Sequence, residues 1–135
     1  MRRFSTADIR DVVLVSQSRA GKTSLAEAML FTAGATTRLG KVQDGNSVLD
    51  FEPEEQKRQS SVFSALHNFK WKNKGINILD TPGDANFQSE AILGLKAAEN
   101  ALFVLSAVGG IQNTETFLYL ETIDKWVRQR PEGTE

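Results

Sequence analysis

Val12-Val13-Leu14-Val15 runs straight into Ser16-Gln17-Ser18-Arg19-Ala20-Gly21-Lys22-Thr23, and a helical pattern begins at once. Few folds accommodate that succession. A short, continuous, β-branched run marks a strand buried on both faces, which belongs in a parallel sheet. A glycine-bearing turn that opens a helix gathers backbone N–H groups around an anion, and the helix dipole adds to their pull. In such a phosphate loop Lys22 would reach the β- and γ-phosphates as a point charge, and the Thr23 hydroxyl would hold Mg²⁺. Ser18, Arg19, Ala20, Gly21 and Ser24 complete the candidate nucleotide-binding loop. The strict pattern G-x-x-x-x-G-K-[ST] is broken at one place, because Ser16 stands where its first glycine belongs. Gly-Lys-Thr alone also marks plain helix starts.

A second signal lies about 58 residues beyond Lys22, where Asp80-Thr81-Pro82-Gly83 directly follows the apolar run Ile76-Asn77-Ile78-Leu79. A carboxylate at the C-terminal end of a strand is placed to support Mg²⁺, usually through water. Gly83 lets its backbone N–H approach a γ-phosphate with no side chain in the way. By itself the tetrapeptide is an ordinary Pro-Gly turn with an Asp cap. Paired with the upstream loop at this spacing, it points to a nucleotide site.

The rest of the chain fits an alternating architecture. The first helix should carry Leu25, Ala28 and Met29 on one face and close at Gly34. Residues 34–60 hold Gly34, Gly40, Gly45, Pro53 and the charged cluster from Glu52 to Arg58, with no long periodicity. A loop of that length in a compact chain is usually functional or mobile. Residues 61–71 alternate as a strand, Asn73-Lys74-Gly75 turns, and residues 76–79 form a second strand. Ala91, Leu95 and Ala98 then sit at helical spacing, residues 101–105 form a further buried strand, and residues 114–127 present Phe117, Leu120, Ile123 and Val127 on one helical stripe. Strands alternating with helices predict an α/β fold with a mainly parallel sheet, in one domain over residues 1–127 with a polar tail at 128–135.

Composition removes competing chemistries. The 135 residues contain no cysteine, which excludes disulfides, thiolate catalysis and Cys-based zinc sites. The one histidine, His67, cannot build a multi-histidine metal centre and reads as a solvated strand residue. Sixteen basic against seventeen acidic residues leave a formal net charge of −1, so bulk charge gives no reason to expect direct DNA binding. No apolar run approaches the ~18 residues of a membrane helix, and charges at Asp8, Arg10 and Asp11 interrupt any signal-peptide core, so no membrane partner and a cytoplasmic location are expected.

The two motifs and their surroundings resemble the translational GTPases, and most closely the elongation factor G family. The likeness runs over about residues 9–122. It includes Ala20-Gly21-Lys22-Thr23-Ser24, Phe31-Thr32-Ala33-Gly34, and Gly40-Lys41-Val42-Gln43-Asp44-Gly45. It continues through Asp50-Phe51, Glu54-Glu55-Gln56-Lys57-Arg58, the segment from Ile76 to Gly83, and Ser106-Ala107-Val108-Gly109-Gly110-Ile111-Gln112. The resemblance implies a phosphate-loop NTPase fold (a G domain), GTP or GDP with Mg²⁺ as ligands, and the ribosome as partner. It also implies that the long loop is a first switch whose hydroxyl metal ligand falls at Ser61, beside Thr23 and Asp80. Ser61 equally suits the start of a strand.

Two positions depart from the family. Asp84 stands where its histidine helps position the attacking water, and a carboxylate beside a γ-phosphate is repelled by it. Weak hydrolysis is the expectation, with Asp84 serving either to orient water or to cap a helix. Arg19 stands where members usually carry an Asp. It is either a cation close to the phosphates, in the manner of an arginine finger, or a solvent-facing loop residue. Asp84 and Arg19 are thus the candidate catalytic residues. A degenerate, non-catalytic interaction module is the rival reading. The family's base-reading N-K-x-D does not occur in the sequence, so the domain is expected to stop before its fifth and sixth strands. The strand at 101–105 would then form an apolar edge open to self-association.

Overall fold

A computed structural model describes residues 4–108. Its centre is a four-stranded sheet built from β1 (Ile9–Val15), β2 (Ala65–Trp71), β3 (Lys74–Asp80) and β4 (Asn100–Phe103), in the order β2-β3-β1-β4. β1 runs parallel to both neighbours, in register Val12↔Ile78 with β3 and Val15↔Phe103 with β4. β2 pairs antiparallel with β3, with Leu66 opposite Leu79. The helices are α1 (Lys22–Thr32), α2 (Pro53–Arg58) and α3 (Gln88–Ala97). The expected α/β class with a mainly parallel sheet is therefore the observed one.

Alternation along β1 assigns its side chains to two cores. Val13 and Val15 pack with Ala91 and Leu95 of α3, while Leu14 packs with Ala26 and Leu30 of α1, Ile78 of β3 and Leu49. Leu14, Leu30, Leu49 and Ile78 are all essentially inaccessible, each worth about 1.5–3 kcal/mol of burial. The two cores clamp β1 from both faces, so its C-terminal end is a fixed platform for the loop that follows.

Several elements differ in detail from the sequence expectation. The buried face of α1 is Lys22, Thr23, Ala26, Glu27 and Leu30, rotated from the stripe of Leu25, Ala28 and Met29. That face contains two charged residues, which apolar periodicity alone does not register. The second strand starts at Ala65, because Val62 to Ser64 are held instead by side-chain carboxylates. The hairpin turns at Lys72 (φ 44°) and Asn73 (φ 65°), both left-handed as a two-residue hairpin requires, and Gly75 already lies within β3. Within residues 34–60 the chain forms the short α2, opened by Pro53 and ending at Gln59 with φ 53°. The expected helix at 114–127 and the tail at 128–135 lie outside the described residues. None of the described helices is long and apolar enough to cross a membrane.

Candidate functional site

The loop between β1 and α1 is shaped by two left-handed residues. Arg19 has φ 58°, and Gly21 caps α1 with φ 98° and ψ 18°. At Gly21 any side chain would be strained, so the glycine of Gly21-Lys22-Thr23 is a backbone requirement. A cavity of about 310 Å³ opens at this helix end. Its near wall is Ser18, Arg19, Gly21, Lys22, Thr23 and Ser24, and Gly83 and Ser61 close it from the two long-range segments. Ala20 does not line it, and Asp80 lies buried behind Thr23.

Four side chains from distant parts of the chain meet at its floor. Thr23 Oγ1 donates to Asp80 Oδ2 at 2.6 Å, and Ser61 Oγ donates to Asp50 Oδ1 at 2.6 Å. The two hydroxyl oxygens face one another at 3.3 Å. A hydroxyl owns one proton, and both protons are committed to carboxylates by the shorter contacts. The 3.3 Å approach is therefore lone pair against lone pair, an arrangement that a cation between them relieves. Asp80 Oδ1 and Asp50 Oδ2 are buried without hydrogen-bond partners. Two hydroxyl lone pairs and two unpartnered carboxylate oxygens suit a hard, oxygen-seeking divalent ion such as Mg²⁺. Thr23, Ser61 and Asp80 would hold it directly or through water, with Asp50 as a fourth contributor that the motifs did not signal.

Burial sets the electrostatics. It pushes the Asp80 carboxyl up to about 6, against the hydrogen bond from Thr23 and the charge of Lys22, while neighbouring Asp50 pushes the same way. Burial likewise raises Asp50, countered by the Ser61 hydrogen bond. The Lys22 ammonium is lowered by burial and supported by Asp80 and Asp50. Both carboxylates thus carry an unfavourable desolvation that added positive charge in the cavity would offset.

Gly83 approaches closely. A Cβ built on it would lie 2.6 Å from Lys22 Nζ and 2.7 Å from the Gln17 carbonyl oxygen, so only glycine brings this backbone against the loop. The two candidate catalytic residues lie apart. Arg19 is exposed on the cavity rim. Asp84 does not line the cavity, and its Oδ1 accepts from the Asn86 N–H at 2.9 Å and from Asn86 Nδ2 at 2.8 Å, capping the 3-10 turn Ala85–Phe87. His67 sits in β2 opposite Ile78, remote from the floor.

The segment from 34 to 64 owes its path to carboxylates to which the sequence assigned no role. Glu27, fully buried on α1, accepts from Ser47 Oγ at 2.6 Å and from the N–H groups of Val48 at 2.6 Å and Leu49 at 3.3 Å. Glu55, buried on α2, accepts from the N–H groups of Val62 and Phe63, and Glu90 accepts from Ser64. These bonds carry Asp50 and Ser61 to the floor. Local sequence offered one clue, the Glu52-Pro53-Glu54-Glu55 start of α2, where Glu55 accepts from the Glu52 N–H at 3.3 Å.

Comparison with known proteins agrees with this geometry. The family model described as the elongation factor Tu GTP binding domain matches residues 7–127. The mitochondrial ribosome-releasing factor 2 of Drosophila willistoni is 39% identical over 112 residues, covering 83% of this chain. Elongation factor G 2 of Desulfotalea psychrophila is 37% identical over 110 residues, covering 82%. A crystal structure of a Thermus thermophilus protein superposes with a TM-score of 0.82 at 33% identity over 88% of the chain. The chain spans only 15%, 16% and 18% of those three proteins respectively. The cytoplasmic location expected from the sequence is not carried by these relatives, one of which is named as mitochondrial. A family match over residues 7–127, on a fold that joins Gly21-Lys22-Thr23 to Asp80-Thr81-Pro82-Gly83, makes this chain a member of the elongation factor Tu GTP-binding domain family, with elongation-factor-G-like relatives.

Proposed function

We propose that the chain binds GTP and GDP with Mg²⁺ and acts as the switch-bearing part of an elongation-factor-G-like translation factor. The floor of the cavity carries the proposal, because its facing hydroxyls and unpartnered carboxylate oxygens suit a divalent ion beside a phosphate loop. Lys22 and the loop amides of Ser18 to Ser24 hold the phosphates. Thr23, Ser61 and Asp80 serve the metal, and Gly83 offers its backbone to the γ-phosphate. Residues 36–60 and 83–90 order with that phosphate and release when it leaves. The names of the relatives support the ribosome as the partner on which this switch acts.

Hydrolysis by the chain is weak in this reading. Asp84 is not an imidazole, and its carboxylate is engaged in capping the turn at Asn86. That same observation favours the second reading, a G-domain module that binds nucleotide and docks without turnover. Calorimetric titration with GDP, a non-hydrolysable GTP analogue and ADP, each with and without Mg²⁺, tests the proposal. Heat with the guanine nucleotides that strengthens with Mg²⁺ is the expected result; no heat with any of them sinks it. Equal affinity for GDP and ADP assigns base selection to residues other than these. Phosphate release measured with and without ribosomes then separates the switch from the non-hydrolysing module.

A further inference from the structure

Ser16 breaks the strict loop pattern, yet it is completely buried just past the end of β1, in contact with the cavity-lining Lys22. Its hydroxyl accepts from Lys22 Nζ at 3.0 Å and lies 2.8 Å from the Gln17 carbonyl oxygen. An ammonium has no lone pair, so the serine proton can go only to the carbonyl, and the direction of both bonds is fixed. Charge runs from Lys22 through Ser16 to Gln17, each bond polarising the next. The same Gln17 carbonyl is what Gly83 packs against, 2.7 Å from where a Cβ would stand. A glycine at position 16 would supply neither bond.

Lys22 also has two anionic neighbours, Asp80 and Asp50, yet makes no ion pair with either. The ammonium is instead drawn to the neutral hydroxyl, away from the oxygens that suit a metal. We propose that Ser16 is a positioning residue for Lys22: its hydroxyl holds the lysine ammonium in the phosphate cavity and off the metal-binding carboxylates before a nucleotide arrives. A long, rotamer-rich side chain is thereby ordered in advance, and binding a β-phosphate need not order it again. The inference deepens the nucleotide-switch reading and rests on it.

The test uses the full 135-residue chain as wild type, Ser16→Ala, Ser16→Gly and Ser16→Thr. Affinity for GDP and a non-hydrolysable GTP analogue with Mg²⁺ is read by calorimetry. The Lys22 ammonium is read without ligand by NMR of ¹⁵N-lysine-labelled protein, its resonance assigned with Lys22→Met. Loss of the hydroxyl should weaken both nucleotides about tenfold and broaden the ammonium resonance away, and Ser16→Thr should restore both to within about threefold. Either readout remaining at its wild-type value in Ser16→Ala overturns the proposal; if that variant does not fold, Ser16→Gly decides. Should the wild type bind neither nucleotide, the functional proposal falls, and the ammonium resonance alone decides the role of Ser16.

Discussion

Asp80 is where the chemistry of single residues bears most directly on the whole. Its carboxyl titrates near 6 in the fold against an ordinary 3.8, chiefly because burial penalises the charge. A carboxyl that holds its proton more tightly folded than unfolded lowers stability as pH rises between those two values, and a displacement of that size corresponds to about 3 kcal/mol. In the presence of a chelator, the unfolding free energy of the wild type relative to Asp80→Asn should therefore fall by about 3 kcal/mol from about pH 3 to about pH 7. Urea melts of both proteins at each pH check this, and a difference that stays flat refutes it. Asp50, raised in the same direction, titrates in both proteins and largely cancels. Added Mg²⁺ and GDP should reverse the trend, since they stabilise the ionised form. Lys22, Thr23, Asp80 and Gly83 were legible in the sequence because the site needs those residue types at fixed offsets from a strand end. Ser16 was legible only as a departure, and Asp50 only as part of the family resemblance without a role in the site, because its partner Ser61 comes from another turn of the same long loop.

At the scale of elements, periodicity located every described strand, and it failed between 34 and 60 for a physical reason. The order in and just after this stretch comes from carboxylates that bond backbone outside their own helix: buried Glu27 to residues 47–49, buried Glu55 to 62 and 63, and half-buried Glu90 to 64. The Glu27 and Glu90 bonds join residues too far apart for any local window, and the Glu55 bonds leave no periodic trace in one. Such an attachment suits a switch, because a few bonds to carboxylates can be exchanged where a continuous apolar core cannot. Glu27 divides the loop, fixing its middle to α1 while residues on either side answer to the cavity. Glu27→Ala should cost about 3 kcal/mol, since it removes short bonds to a carboxylate, strands the Val48 N–H and leaves the Leu49 N–H only its bond to Ser47 Oγ. The amides of Val48 and Leu49 should then exchange with solvent faster, while those of β1 fall only with global stability. Unchanged exchange at Val48 and Leu49 refutes the clasp.

For the molecule as a whole, the sheet presents two edges among the described residues, and only the β2 edge carries lysines. β2 ends it on one side, where Lys70 and Lys72 place charges that discourage pairing beside the exposed Leu66 and Trp71. β4 ends it on the other side among the described residues, with Leu102 37% and Leu105 50% exposed. A short apolar strand that no described residue pairs on its outer side is a template for another copy. β4 also pairs with Val12 to Val15, the stretch that delivers Ser16 to the phosphate loop, so this edge lies one strand from the site. The 135-residue chain alone should accordingly self-associate at micromolar concentration, and Leu102→Lys should shift it toward monomer by placing a charge on the edge. Because β1 is clamped by cores on both its faces, the loop geometry should not depend on that association. The variant should keep its GDP affinity to within about threefold of wild type. Light scattering coupled to size exclusion, followed by titration of the monomer peak, reads both halves. A monomeric wild type with a sharp thermal transition refutes the exposed edge, and a monomeric variant with lost affinity shows that β4 contributes to the site through β1.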